Sequence, residues 1–226
     1  MKRIDELEEL KKLVWYTMQV EEKAIHEYLG DEVRYYVAGS FATHIHNEKY
    51  PYNDIDVFVV DHDSEWIPKV YSNRSYKVCK SYKVTLKKKN GCTCEKYQHS
   101  KLRVNIVYVI WCSGLRHLLN FFDINCCQIG YEMDMSNGTL SELVCTKNYL
   151  DFLQKKVLKV VTFETPATSL LRLYKKSFQL LLPMKLSPLL LMKLKWNHEN
   201  GKVVNKGLFS QVRSSLEIHS FRLLCR

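Results

Sequence analysis

No run of about eighteen uninterrupted apolar residues occurs in this 226-residue sequence, which excludes a continuous apolar membrane-spanning helix. The opening residues, Met1-Lys2-Arg3-Ile4-Asp5-Glu6, are charged and lack the apolar stretch of a secretory leader. An intracellular location, cytoplasm or nucleus, is therefore expected. In that reducing setting the eight cysteines are expected to be free thiols. Cys126 and Cys127 stand side by side in an apolar, strand-like run. Cys92, Cys94 and His99 form the one cluster with a metal-binding flavour, but their C-x-C spacing is tighter than that of ordinary zinc sites and no fourth ligand is evident. A hairpin tip is the better reading of it. There is no internal repeat and no low-complexity segment. Acidic residues are scarce in the last third: residues 147–226 hold 15 Lys/Arg against 4 Asp/Glu, whereas residues 1–146 hold 19 against 20. The whole net charge of +10 thus comes from one end, a pattern suited to RNA or another polyanion.

Apolar residues make up 46% of the chain, enough to bury a core. Leu7, Leu10, Val14, Met18 and Ile25 recur at helical spacing, which predicts a helix over 4–29. A short strand is expected over 32–38, broken by Gly39-Ser40, then a helical turn over 41–47. Ile55–Val60 is β-branched and aromatic and reads as a buried strand. Pro68 weakens a helix over 64–70. Strands are expected over 76–86 and 92–98, joined by Asn90-Gly91, and again over 102–111 and 123–131. Ser113 is expected to cap a helix running to Phe121, and Ser136-Asn137-Gly138 to form a turn. From Leu140 the pattern becomes helical, with candidates over 149–158, from Thr165-Pro166 onward, and over 187–196. The sum is a mixed α/β (α+β) sheet flanked by helices over residues 1–135 and a helical, basic region over 136–226.

The chemistry concentrates between Gly39 and Val57. Asp54 and Asp56 are two apart on a strand and so point to one face. Two like charges on one face repel unless something positive lies between them. Magnesium or manganese does this, taking carboxylate oxygens together with phosphate oxygens and water. Gly39-Ser40 follows a strand and opens a helix. Glycine permits close approach of a phosphate to the backbone, and the serine hydroxyl adds a donor. One element would hold nucleotide phosphates and its neighbour the metal that bridges them, which suits attack on the α-phosphate of a nucleoside triphosphate.

The order hydrophobic-Gly39-Ser40, a gap, then Asp54-Ile55-Asp56-Val57 resembles the signature of the DNA polymerase beta-like nucleotidyltransferase superfamily. The stretch Phe122-Asp123-Ile124-Asn125-Cys126, taken with the basic tail, resembles its divergent viral members. The resemblance implies a magnesium-dependent transfer of a nucleoside monophosphate from a triphosphate to an acceptor, which could be RNA, a nucleotide or a protein hydroxyl. It implies a third carboxylate beside the first two. The strand over 102–111 offers Asn105 at that place, with Asp123 as the alternative third acid. Thr165-Pro166 and Leu171-Arg172-Leu173-Tyr174-Lys175-Lys176 look like the helix beside the active site, so Arg172, Lys175 and Lys176 are candidates for the nucleotide's phosphates. Because Asn105 cannot act as a base, a catalytically silent member that binds nucleic acid or a protein partner is the other reading.

Overall fold

The computed structural model describes residues 2–29, 32–61, 77–89, 97–109, 112–163 and 166–199. The segments over 62–76, 90–96 and 200–226 fall outside the described residues, and with them the weak helix over 64–70, the Asn90-Gly91 turn, Cys92 and Cys94. The chain forms two compact units. One comprises Met1–Phe122 with Cys126–Leu150, and the other Asp123–Asn125 with Asp151–Arg226.

The first unit begins with α1 (Lys2–Leu29), β1 (Val33–Ala38) and α2 (Ser40–His46). There follow β2 (Ile55–Asp61), β3 (Lys77–Lys89), β4 (Tyr97–Val109), α3 (Leu115–Leu119), β5 (Ile129–Met133) and β6 (Val144–Cys145). The six strands make one mixed sheet in the order β3-β4-β2-β1-β5-β6. β1 runs antiparallel to β2 and β5, and β2 runs parallel to β4.

Alternation along these strands sorts side chains to two apolar layers. Tyr35, Val37, Ile55, Val57, Val59, Val104 and Ile106 pack with Leu10, Val14, Met18 and Ile25 of α1. Tyr36, Ala38, Phe58, Val60, Val107 and Val109 pack with Leu115, Leu118 and Leu119 of α3. Both faces of the sheet centre are covered, which is why Ile55–Val60 shows a nearly continuous apolar run and no polar alternation. The α1 stripe carries its Leu, Val, Met and Ile at steps of three, four and seven, so one helix face meets the sheet.

Three boundaries differ from the sequence expectation. Gly114, with φ 136°, precedes α3, and the helix stops at Leu119. Ser113 does not cap it; its hydroxyl lies 3.2 Å from His117 Nδ1 instead. The expected strands over 92–98 and 102–111 are, where described, one strand, because every residue of β4 from Tyr97 to Tyr108 has a partner on β3, with one bulge on β3 between Val78 and Lys80. The expected strand over 123–131 is interrupted: Asn125–Cys127 form a 3-10 turn and β5 starts only at Ile129. The cause is polar. Asn125 is buried and spends its amide group on the Val157 carbonyl and the Lys159 amide, so it bends the chain away from a ladder. Cys126 and Cys127 sit on that turn as free thiols.

The second unit contains β7 (Leu158–Lys159), α5 (Pro166–Leu180), β8 (Met184–Lys185) and α6 (Pro188–Glu199). α4 (Lys147–Lys155) runs from the first unit into it. Pro166 opens α5, where its missing N–H costs nothing. The Ser187 hydroxyl accepts the Leu190 amide at 3.1 Å and caps α6. Asp151 is held down to a pKa of about 2 by hydrogen bonds from Lys155 and Lys159.

Gly130 pairs with Ala38 across β1 and β5. A Cβ added there would stand 2.9 Å from a Leu115 methyl and 3.0 Å from the Val37 carbonyl oxygen. Backbone on one side and a packed leucine on the other leave little room to shift. Gly130→Ala is expected to lower stability by about 1–3 kcal/mol through overpacking, read as an earlier midpoint in urea unfolding. An unchanged midpoint would show that β5 gives way more easily than this packing implies.

Candidate functional site

The layer facing α3 is apolar along most of its length and turns polar at one end. Asp56 shares that face with Phe58 and Val60 by strand alternation, and Asn105 shares it with Val107 and Val109. Asp56 and Asn105 are also direct partners in the parallel β2–β4 register. Asp54 stands one residue ahead of β2, two before Asp56. All three polar groups converge: the Asn105 side-chain nitrogen is 2.7 Å from Asp56 Oδ1 and 3.4 Å from Asp54 Oδ2. Asn105 is only 8% exposed, while both aspartates are half-buried. Ionised carboxylates are acceptors only, so the amide must present its N–H groups to them. A buried neutral donor thus holds two acids together.

The Gly39 turn adjoins this group through the sheet. Ala38 is the cross-strand partner of Asp56, and Gly39 is the next residue. Gly39 has φ 82° and ψ −143°, a region nearly closed to side-chain-bearing residues. A Cβ there would also meet the Phe122 ring at 3.1 Å. The turn is tied from several sides. Its N–H donates to the Ile129 carbonyl at 3.2 Å, and its own carbonyl accepts the Thr43 amide at 3.0 Å. The Thr43 hydroxyl lies 2.7 Å from the Cys126 carbonyl oxygen and 3.0 Å from that of Gly39. Phe122 is fixed in turn by Phe58, ring to ring at 5.4 Å, and by buried Gln128, whose amide donates to the Phe122 carbonyl at 2.9 Å. Ser40 then opens α2. The amides of Ser40, Phe41 and Ala42 precede the i to i−4 ladder of this helix.

A second set of contacts fixes the loop that delivers Asp54. His44 Nδ1 is 2.8 Å from the Tyr50 carbonyl oxygen. A carbonyl only accepts, so Nδ1 carries the proton. Tyr52 packs against Phe41 at 4.9 Å and against His44 at 4.7 Å. The helix that starts with Ser40 therefore also grips the loop just before Asp54. His46 Nδ1 meets the Tyr149 hydroxyl at 2.8 Å, and burial pushes the Tyr149 phenol well above its usual range. Both histidines thus use Nδ1 internally. The sequence marks them as histidines near a candidate site but not as braces. The signal available was the aromatic spacing of Phe41, His44 and Tyr52.

Of the residues singled out from sequence, Gly39, Ser40, Asp54 and Asp56 all lie in the first unit, joined by the Ala38–Asp56 pair. Asp123, Arg172, Lys175 and Lys176 belong to the second unit. There Asp123 faces Arg172, with Oδ2 3.3 Å from Nε, an ion pair without hydrogen-bond alignment. Lys175 is exposed on α5 and Lys176 half-buried. Among the described residues, no group of three His, Cys, Asp or Glu side chains is assembled to hold a metal. Two carboxylates nevertheless fit a hard divalent ion that completes its shell with phosphate oxygens and water.

The sheet order, its flanking helices and this polar end define a nucleotidyltransferase-like fold. A solved CCA-adding enzyme in complex with CTP superposes with a TM-score of 0.52 at 16% identity, over 96% of this chain and 49% of that one. A tRNA-processing enzyme in an apo form gives 0.46 at 16% identity, over 86% and 48%. The Thermotoga maritima CCA-adding enzyme complexed with tRNA gives 0.45 at 16%, over 84% and 42%. The chain spans about half the length of these structures. No curated protein matches it. The chain belongs to the Gabija anti-defense 2 family, whose pattern matches residues 7–156. That match contains the whole Gly39–Asn105 site.

Gly39→Ala is expected to cost about 1–3 kcal/mol, the usual range for a side chain forced into such a conformation. Thermal melting would register it. Adding Phe122→Ala should relieve the ring contact yet leave most of the loss, because the backbone angle remains. Compared with Phe122→Ala alone, a double variant that loses nothing further would assign the cost to Phe122.

Proposed function

We propose that this chain transfers a nucleoside monophosphate from a nucleoside triphosphate to an acceptor, with magnesium or manganese as cofactor. One observation carries the reading: Asp54 and Asp56 converge on one face of the sheet, and the cross-strand partner of Asp56 leads directly into the Gly39-Ser40 turn. The first-turn amides of α2 and the Ser40 hydroxyl would bind the triphosphate. Asp54 and Asp56 would bind the metal, which supplies charge neutralisation for the departing pyrophosphate. Gly39 contributes a backbone conformation that side-chain-bearing residues rarely adopt, which turns β1 into α2. The excess of 15 Lys/Arg over 4 Asp/Glu in residues 147–226 supports a polyanionic partner such as RNA. Arg172, Lys175 and Lys176 are candidates for that contact. The family's description would suit such a reaction to the opposition of a defence called Gabija. A catalytically silent chain that binds nucleic acid or a protein partner is the second reading, favoured by the amide at Asn105.

The test pairs binding with transfer. Wild-type chain with magnesium and its preferred triphosphate at about 100 times Kd should gain about 2.7 kcal/mol of stability, and Asp56→Ala should gain much less. Incubated with α-labelled triphosphates and cell extract, the wild type should label an acceptor at least about 100-fold faster than Asp56→Ala, the scale of losing a charge-stabilising group. Binding without labelling would establish the silent reading. Equal labelling by the two chains would remove Asp56 from the chemistry.

A further inference from the structure

Asn105 is the group the nucleotidyl-transfer reading leaves unused. It is buried, it is the register partner of Asp56, and it reaches both acids of the site. We propose that Asn105 restricts this site to a single divalent ion and to acceptors whose attacking oxygen is already ionised, a phosphate or carboxylate oxygen. The inference rests on the nucleotidyl-transfer reading of the same site.

Charge comes first. Two divalent ions about 3.5–4 Å apart need bridging carboxylates to offset their mutual repulsion. Asp54 and Asp56 supply two negative charges, and Asn105 supplies none. The amide also turns the positive ends of its N–H bonds toward the acids, occupying lone pairs that a second ion would need. Asp54 and Asp56 would hold one ion together with phosphate oxygens and water. A second has no carboxylate on β4 to receive it.

Proton balance leads to the acceptor. When a hydroxyl attacks the α-phosphorus, its proton must go to a base as the O–P bond forms. An amide nitrogen that donates to two carboxylates has no lone pair to take it. An ionised oxygen needs no such transfer. Its electron pair forms the new O–P bond, the bond from the α-phosphorus to the bridging oxygen breaks, and pyrophosphate leaves with that electron pair. No proton moves. With a phosphate acceptor the product is a phosphoanhydride, and with a carboxylate it is an acyl-nucleotide anhydride. Asn105 is here a positioning residue: it sets the ion count and offers no base at its place on β4, without touching the reacting atoms.

Ion count and acceptor choice test this separately. Manganese titrated into the full chain, with an α,β-methylene triphosphate present and free ion followed by electron paramagnetic resonance, should give one bound ion per wild-type chain. Asn105→Asp should bind two, and Asp56→Ala should lose the tight ion. Two ions on the wild type would overturn the inference and leave nucleotidyl transfer standing; no ion on the wild type would remove both. In the second arm, α-labelled triphosphate is offered with inorganic phosphate, with acetate plus hydroxylamine as a trap, or with glycerol. The wild type should form labelled nucleoside diphosphate or release nucleoside monophosphate with a hydroxamate, the two products telling phosphate from carboxylate. Glycerol transfer should rise about 10²–10⁴-fold in Asn105→Asp, the usual worth of a general base. Wild-type preference for glycerol, or transfer to neither anion, would overturn the proposal. If Asn105→Asp fails to melt cooperatively, the two wild-type measurements decide it.

Discussion

Holding two carboxylates side by side at the edge of an apolar layer is costly, and the local architecture of the first unit is arranged around that cost. Each acid alone would turn to water. Here Asp56 is fixed by β2, which is buried on both faces, and Asp54 by a loop braced through His44, Tyr50 and Tyr52. Neither can swing far without breaking packing. Between them stands a neutral donor. Hydrogen bonds to charged groups contribute about 1.5–3 kcal/mol each, on the order of what two neighbouring, half-exposed like charges lose. The amide can therefore offset part of the repulsion between the two acids.

That arrangement explains why the sheet centre had to be apolar on both sides. Alternation delivers Asp56 and Asn105 to the same face only if the β2–β4 register is fixed, and a slip of one residue between the two strands would put them on opposite faces. The register is pinned by Ile55, Val57 and Val59 against α1 and by Phe58 and Val60 against α3. The geometry of the candidate site is thus a by-product of two hydrophobic layers. The same layers crowd Gly130 and Gly39, where any side chain would meet Leu115 or Phe122.

Much of this was legible in the residues themselves. The α1 stripe, the buried run over 55–60 and the punctuation at Gly39 fix the elements, because each follows from local periodicity or steric need. The Asp54–Asp56 pair was legible for the same reason: period two is a property of any strand. Contacts between segments distant in sequence were not. Nothing local says that Thr43 reaches Cys126 or that Gln128 holds Phe122 over Gly39, since such bonds depend on tertiary approach. The strand expected over 123–131 failed for a related reason. Its apolar residues suit a ladder, but buried Asn125 finds its partners at Val157 and Lys159, more than thirty residues on. Asn105 lay between these cases. Its position on the inward face could be read from alternation, whereas its bridge to both acids needed coordinates.

The second unit shows how composition can mislead when read residue by residue. An excess of cations over residues 147–226 makes every Lys and Arg there a candidate for phosphate. Yet Arg172 faces Asp123, and Lys155 and Lys159 both converge on Asp151. A cation already paired must give up its partner before it can bind a polyanion, so it adds less to affinity than a free one. The charge excess is real because only 4 acids are present to offset 15 bases, but Lys155, Lys159 and Arg172 already face an acid. A polyanion bound here would therefore be held by fewer contacts than the count of cations implies, and its affinity would fall less steeply with salt than one contact per cation would require.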